Sequence, residues 1–240
     1  MDRFRIDVIA ATPQPQQVIW VAMHQDYSEV FVADGRDHWP NEAKAGELVI
    51  KHLLAGNRGH YGPLEHPQIT FNVGFFPHSL VQQVRSHRIG VSFDVQSFRY
   101  TGQQIVDVAT GNRNVEEVFY LRPVGKYNNR QGKKYQYTES QRQADVEWCI
   151  KACKLYQERI KEGLAEEHAR SLIPFDARQH FVLSCNMRSL MHLLDLRWKR
   201  DAQLEAQKFC DLLFRHFEEW SPVIARWYQD NRAKKAHLSP

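Results

Sequence analysis

Several features that mark common classes of protein are missing from this chain of 240 residues. No apolar run approaches the roughly 20 residues that a membrane-spanning helix needs. The start of the chain, MDRFRIDVIA, lacks the long apolar stretch of a signal peptide. We therefore expect a cytoplasmic protein without a membrane partner.

Recognisable metal-binding patterns are missing as well. The cysteines are Cys149, Cys153, Cys185 and Cys210. None of their spacings is typical of a zinc site, and we expect reduced thiols in the core. His60 and His66 are six residues apart and do not form the helical pair of an H-E-x-x-H motif. We predict no metal site.

The composition is that of a globular protein. Hydrophobic residues make up 42% of the chain, which is enough to bury a real core, and we expect a single domain over residues 1–240. The formal net charge of +4 fits anionic small molecules at least as well as nucleic acid.

Apolar residues recur with the periods of both strands and helices. The pattern predicts strands over 4–10, 68–75 and 178–186, and helices over 16–23, 41–56, 77–88, 140–160, 164–175, 188–197 and 201–220. Asn41 is a candidate helix cap and Gly56 a candidate stop. Residues 101–138 are rich in turn-forming and basic residues, so we predict a long excursion there.

The stretch VQQVRSHRIGVSFDVQSFRY combines many basic residues with few acids. Its basic side chains are Arg85, His87, Arg88 and Arg99. On a helix over 77–88, Gln82, Arg85 and Arg88 would share one face. Because the planar guanidinium grips a phosphate or a pyrimidine carbonyl at two points, the cluster indicates a site for such ligands. A surface helix whose arginines pair with distant carboxylates explains the pattern equally well.

Two further stretches place polar groups where a ligand could meet them. In CNMRSLMHLLDLR, Arg188 and His192 are neighbours on a helix and Arg197 lies beyond them. Because these polar residues interrupt an apolar face, we favour a helix that lines a ligand site. In HARSLIPF, Arg170 follows Glu167 by three positions and could be held by it.

Taken in order, PLEH, QQVRSHRIGVSFDVQSFRY, EHARSLIP and CNMRSLMHLLDLRWKRDAQ resemble the motifs of the flavin-dependent thymidylate synthases over most of the chain. The characteristic element of that family corresponds here to Arg85, His87, Arg88, Ser97, Arg99 and Tyr100. The resemblance implies an α/β fold: one domain with a mixed sheet flanked by helices, a helical C-terminal half and a flavin site that is not of the Rossmann type. Consistently, the sequence contains no G-x-G-x-x-G fingerprint.

The resemblance also implies a reaction, the reductive methylation of dUMP to dTMP. Methylenetetrahydrofolate supplies the carbon, FAD relays the carbon and the hydride, and NADPH reduces the flavin. The family works as a homotetramer whose active sites are shared between subunits. It needs no cysteine nucleophile, because an arginine polarises the uracil ring. Arg197 matches that catalytic arginine.

Site residues are carried over from the family position by position. The positions that match dUMP contacts are Gln82, Arg85, Ser97, Arg99, Arg170 and Arg197. The positions that match FAD contacts are His66, His87, Arg88, Asn186, Arg188 and His192. The chain departs from the family pattern at Ser86, which is inserted between an arginine and a histidine. Asp94 and His192 stand where asparagine is common, and Val95 where glutamate often occurs.

Two other classes of function stay open. The segment 111–137 interleaves aromatic and basic residues, as a single-stranded nucleic-acid binder does, but we prefer a solvated loop and expect no nucleic-acid partner. A metal-dependent nucleotide hydrolase would have to use His60, Glu65 and His66, which form no recognisable ligand set. Ser97 is a chemically competent nucleophile, yet no histidine or lysine is placed to activate it, so we favour a hydrogen-bonding role.

Overall fold

The computed structural model describes residues 3–56, 59–129 and 131–235. Its main strands form in stretches where apolar and polar residues alternate. The strands are β1 (Arg5–Ala11), β2 (Gln68–Pro77), β3 (Val91–Val95), β4 (Gly125–Asn128), β5 (Lys134–Tyr137) and β6 (Arg178–Asn186). Four of them form one sheet in the order β1-β2-β6-β3. β4 and β5 form a separate antiparallel pair in which Gly125 lies opposite Tyr137.

Helices account for much of the remaining chain, and several begin with a side-chain cap. The helices are α1 (Pro15–Gln25), α2 (Glu42–Val49), α3 (His78–Val84), α4 (Gln103–Ala109), α5 (Val115–Val118), α6 (Glu139–Lys161), α7 (Glu166–Ala169), α8 (Met187–Arg197), α9 (Leu204–Trp220) and α10 (Pro222–Asn231). The side chain of Asn41 caps α2, as predicted. Thr138 and Gln141 form a capping box at the start of α6.

Internal contacts divide the chain into two compact units. Unit 1 is made mainly of Gly74–Gln83 and Val95–Phe181. Its core forms where α4, α5 and α7 pack on α6. The buried side chains include Phe98, Ile105, Val108, Val118, Phe119, Cys149, Cys153 and Tyr156. Since α6 is buried on one side only, its apolar residues recur at helical spacing, which is why the sequence predicts it well.

Unit 2 is made mainly of Phe4–Val73, Val84–Asp94 and the chain from Val182 onward. Here α1 packs on α2, α10 contacts α2 and α9, and α9 also contacts α8 and β1. Its core includes Ile19, Leu64, Phe71, Leu190, Phe209, Phe217 and Tyr228. Within the described part of the chain, no helix is long and apolar enough to cross a membrane.

The predicted α/β class and the helical C-terminal half are confirmed, but three predicted elements differ. The predicted helix 77–88 ends at Val84, because the amide of His87 donates to the Val84 carbonyl and tightens the last turn. Arg85 and Arg88 therefore do not continue the helical face of Gln82. The predicted helix 164–175 is reduced to α7 and a single 3₁₀ turn, Arg170–Leu172.

The excursion predicted over 101–138 contains secondary structure that the sequence analysis did not assign, namely α4, α5 and the β4–β5 pair. The helix α4 was not predicted because its apolar repeat is short, with Ile105 and Val108 buried three residues apart, and turn-forming residues surround it. The tyrosines of the excursion are also engaged: Arg122 donates to the Tyr135 hydroxyl at 3.0 Å. The sequence prediction also missed α10, although Pro222 at its first turn is a typical start signal.

Candidate functional site

A pocket of about 620 Å³ opens in unit 2, within the usual size range of small-molecule sites. Three segments build it: the 3₁₀ turn Gly62–Glu65, the loop that follows α3, and one face of α8. The lining residues are Glu65, Ser86, His87, Arg88, Ile89, Arg188, Ser189, His192, Leu196 and Arg197. Three arginines and one carboxylate face this space, so the pocket favours an anionic ligand.

Helix α8 presents one face to the pocket and buries Leu190, Leu193 and Leu194 in the core. Arg188, His192 and Leu196 recur every four residues along the lining face. On another face, the buried carboxylate of Asp195 accepts hydrogen bonds from the Tyr228 hydroxyl at 2.9 Å and from Arg232 Nη2 at 2.8 Å. Because both donors lie on or just after α10, this contact fixes the rotation of α8 and with it the direction of its pocket face.

The loop before β3 is tied to the start of α8 by close contacts. Asn186 caps α8 by accepting from the Ser189 amide at 2.8 Å, and the Ser189 hydroxyl donates to the Ile89 carbonyl at 2.7 Å. Gly90 has a φ of +65°, and a Cβ there would lie 2.3 Å from Asn186 Nδ2. Glycine is therefore required at this turn, both for its backbone angle and for the lack of a side chain.

Arg197 is held at the pocket wall by two neutral groups. Its Nε donates to His87 Nε2 at 3.1 Å, and its Nη2 donates to the Ser86 hydroxyl at 2.8 Å. The His87 ring is 6% exposed and meets His192 edge to face, with 5.1 Å between ring centroids. Burial, together with the charge of Arg197 and the nearby His192, lowers the pKa of His87 to about 4. His87 is thus neutral at physiological pH.

Arg188 is held differently, because its Nη1 lies 2.5 Å from a Glu65 carboxylate oxygen. Both side chains are partly exposed, so the pair orients Arg188 without contributing much stability.

The other residues predicted to contact flavin differ in whether they line this pocket. Arg88 lines the pocket and is exposed, whereas His66 is exposed and is not among the lining residues. Asn186 is buried and shapes the site through its cap on α8.

Four of the residues predicted to contact dUMP belong to unit 1: Gln82, Ser97, Arg99 and Arg170. Arg170 Nη1 donates to the Ser97 hydroxyl at 3.4 Å. Arg99 lies 3.7 Å from the Glu167 carboxylate, the acid that the sequence suggested for Arg170. The other two predicted dUMP contacts, Arg85 and Arg197, belong to unit 2. Their common role in one nucleotide site stays a prediction.

The sequence prediction missed several partners of these residues. His78 Nε2 lies 2.6 Å from Gln82 Nε2, and His78 Nδ1 lies 2.8 Å from Gln179 Oε1. The spacing of His78 and Gln82, one helical turn apart, was the available signal. No comparable signal existed for Ser86 and Arg197, which are 111 positions apart in sequence.

The cysteines are unsuited to nucleophilic catalysis. All four are free and buried. Burial raises the pKa of Cys149 to about 11 and that of Cys153 and Cys185 to about 12, and it raises the pKa of Cys210 well above its usual value. A buried thiol with a raised pKa carries almost no thiolate at neutral pH.

The residues that the structure describes include no set of side chains suited to binding a metal ion. No group of three or more His, Cys, Asp or Glu side chains in that part of the chain could hold an ion. His60 pairs instead with Asp26 at 2.8 Å, and Glu65 is engaged by Arg188. Two of the three residues that a metal-dependent hydrolase would need, His60 and Glu65, are therefore paired with other side chains.

Comparison with known proteins gives a consistent result. Residues 7–223 match the family model described as thymidylate synthase complementing protein. A flavin-dependent thymidylate synthase of Haloarcula marismortui is 32% identical, over 98% of this chain and 99% of its own length. One from Halobacterium salinarum is also 32% identical, over 98% of this chain and all of its own length.

Two solved structures share the fold. The UMP/dUMP methylase PolB from Streptomyces cacaoi has a TM-score of 0.74 at 22% identity, over 100% of this chain and 98% of its own. Thymidylate synthase X from Helicobacter pylori has a TM-score of 0.69 at 20% identity, over 92% of this chain and 99% of its own. The family match, the two relatives and the sequence motifs agree, and the chain belongs to the flavin-dependent thymidylate synthases, FAD-dependent enzymes that methylate dUMP.

Proposed function

We propose that this chain makes dTMP from dUMP with the residues of its arginine motifs, using methylenetetrahydrofolate as carbon donor and NADPH as reductant. The observation that carries the proposal is Arg197, a guanidinium held by His87 and Ser86 at the wall of a positively charged pocket. The Helicobacter pylori structure contains FAD and dUMP, and the PolB structure contains 5-bromo-dUMP, which supports the same ligand classes here.

The residues of the unit 2 pocket fit a flavin dinucleotide. FAD carries a diphosphate, and Arg88 and Arg188 supply donors that bind phosphate oxygens well. The lack of a side chain at Gly90 lets the loop lie close to the start of α8. When bound, FAD supplies the redox and carbon-transfer chemistry, while the protein supplies binding and orientation.

Arg197 is the residue that we assign to the pyrimidine. A guanidinium beside a uracil carbonyl stabilises the negative charge that develops on the ring as C5 becomes nucleophilic. Its two partners are uncharged, so Arg197 keeps its full positive charge for this task. Arg197 is half-buried, so water screens this charge less than it screens that of an exposed arginine.

The nucleotide phosphate is assigned to the exposed arginines. Arg170 donates to the Ser97 hydroxyl, and the Arg99 guanidinium lies beside the carboxylate of Glu167; both guanidinium groups are donors suited to phosphate oxygens. Gln82 and Arg85 complete the proposed dUMP contacts, and His66 and His192 those of FAD. The Ser97 hydroxyl oxygen accepts a hydrogen bond from Arg170, and this contact supports a binding role for Ser97 over a nucleophilic one.

We further propose a cytoplasmic homotetramer with shared active sites. The family resemblance supports the assembly, and unit 2 exposes apolar side chains that a partner subunit could cover. Examples are Tyr27, Val30 and Phe31, each more than 60% exposed. The free cysteines fit a reducing compartment. A stable, fully active monomer in light scattering would contradict the shared sites.

The proposed function is tested with purified protein. It should be yellow or take up FAD in a titration, and it should release tritium from [5-³H]dUMP in the presence of methylenetetrahydrofolate and NADPH. A colourless protein that neither binds FAD nor releases tritium would overturn the proposal.

A further inference from the structure

The direction of the contact between Arg197 and His87 fixes the state of the imidazole. A guanidinium has only donors, so His87 Nε2 must accept the hydrogen bond from Arg197 Nε at 3.1 Å. An accepting Nε2 carries no proton, and the neutral ring therefore holds its proton on Nδ1. The pKa of about 4 agrees with this neutral tautomer.

The same contact determines which part of Arg197 is available to a ligand. Nε–H is directed to His87 and one Nη2–H to Ser86. Because Nε–H and one Nη2–H are engaged, Nη1 and the second proton of Nη2 stay available to a ligand as a planar pair of donors. Neither partner carries a charge that would offset the guanidinium. A carboxylate in place of His87 would fix the geometry equally well but would cancel the charge.

We propose that His87 is a positioning residue for Arg197: through Nε2 it orients the guanidinium toward the pyrimidine, beyond the flavin contact that the family resemblance assigns to it. This inference rests on the proposed function of Arg197. Ser86, the residue by which the chain departs from the family pattern, is the second support of the same guanidinium.

The test compares two substitutions of His87. In His87→Gln the amide oxygen can accept from Arg197 Nε, whereas His87→Leu has a similar volume and no acceptor. We expect His87→Leu to lower kcat for dTMP formation by about 10- to 100-fold, as misplacement of a catalytic group does. His87→Gln should recover most of the loss, and FAD affinity should be similar in both variants. His52→Gln, at an exposed position in unit 2, is the matched control and should behave like the wild type.

A double-mutant cycle separates this role from a flavin contact. If His87 acts through Arg197, adding His87→Leu to Arg197→Ala should cause no further loss of kcat. Losses that multiply, or failure of His87→Gln to recover activity at saturating FAD, would each overturn the positioning role. Thermal melting of each variant identifies loss that is due to unfolding.

A spectroscopic measurement keeps the inference testable even if the proposed function fails. In ¹⁵N-histidine NMR of the wild-type protein, His87 should show a protonated Nδ1 and an unprotonated Nε2. Its Nε2 signal should shift in Arg197→Ala. If the wild type lacks dUMP activity but shows this tautomer, the proposed function is wrong and the contact stands. An Nε2–H tautomer would overturn the contact itself.

Discussion

In unit 2, the half-buried guanidinium of Arg197 donates to two uncharged groups, whereas in unit 1 the exposed Arg99 faces the carboxylate of Glu167. A carboxylate partner orients an arginine and also offsets its charge. Neutral acceptors orient it and leave the charge intact. This difference agrees with the roles proposed for them, in which Arg197 acts on charge that develops in a ligand and Arg99 binds a ligand whose charge is already present.

Exposure strengthens this contrast. The Arg99–Glu167 pair has both side chains nearly half exposed, and such pairs contribute about 0–1 kcal/mol because water and salt screen them. Partial burial of Arg197 strengthens its electrostatic interactions, and it also lowers the pKa of the guanidinium from its usual high value. The arginine stays protonated at neutral pH, since its pKa starts far above that range.

The strongest test of the contrast is Arg197→Ala. Removing one electrostatic donor that acts in the transition state typically lowers the rate about 10²- to 10³-fold. We expect this loss in single-turnover dTMP formation with reduced flavin and saturating dUMP, while FAD content and melting temperature change little. Arg197→Lys should recover only part of the rate, because an ammonium lacks the planar pair of donors. A wild-type rate in Arg197→Ala would remove this residue from the chemistry.

The neutral state of His87 predicts a pH dependence of stability. Its folded-state pKa of about 4 lies below the ordinary value of 6.5, so the unfolded chain binds an extra proton between these values. Stability is therefore lost as the pH falls below about 6.5, and this group contributes a loss of about 2 kcal/mol between pH 7 and pH 5. Urea unfolding at both pH values should show a smaller difference in His87→Gln. An equal difference in both proteins would contradict a buried, neutral His87.

Arg170→Ala tests the exposed cluster of unit 1. It should weaken dUMP binding by about tenfold, since a charge-assisted hydrogen bond is worth roughly 1.5–3 kcal/mol when fully formed and less when exposed. The rate at saturating dUMP should change far less than in Arg197→Ala. Initial rates measured over a range of dUMP concentrations separate KM from kcat. A fall in kcat with unchanged KM would mean that the exposed cluster also acts in the transition state.

A smaller effect on dUMP binding is expected when Glu167, the carboxylate that faces Arg99 in unit 1, is made neutral. Glu167→Gln removes the charge that faces Arg99, so dUMP should bind up to about threefold more tightly at low salt, and the gain should vanish at high salt. Isothermal titration at two ionic strengths measures this. Weaker binding at both salt concentrations would show that Glu167 is needed to orient Arg99.

The smallest effect on the chemistry is expected from the cysteines. Each is buried with a raised pKa, so single alanine substitutions should leave single-turnover dTMP formation nearly unchanged, although packing can suffer. Loss of activity in a folded variant that still binds FAD and dUMP would contradict the route without a cysteine nucleophile.

Local sequence patterns predicted those parts of the molecule that local forces determine. α6 was predicted because its apolar period lies within one continuous stretch. The spacing of Arg188 and His192 likewise predicted one wall of the pocket. The contacts of Arg197 were not predicted, because His87 and Ser86 lie on a loop that sequence periodicity assigned to a helix. The buried contact of Asp195 with Tyr228 was missed for a related reason, since α10 itself was not predicted.

The tight turn at Gly90 has a consequence for how the sequence can change over generations. Any other residue there would need a left-handed backbone angle and would displace both Asn186 and Ser189, which lie within 2.4 Å of the missing Cβ. A saturation library at position 90, selected for thymidine-independent growth, should therefore return glycine alone, so that no path of single substitutions passes through this position.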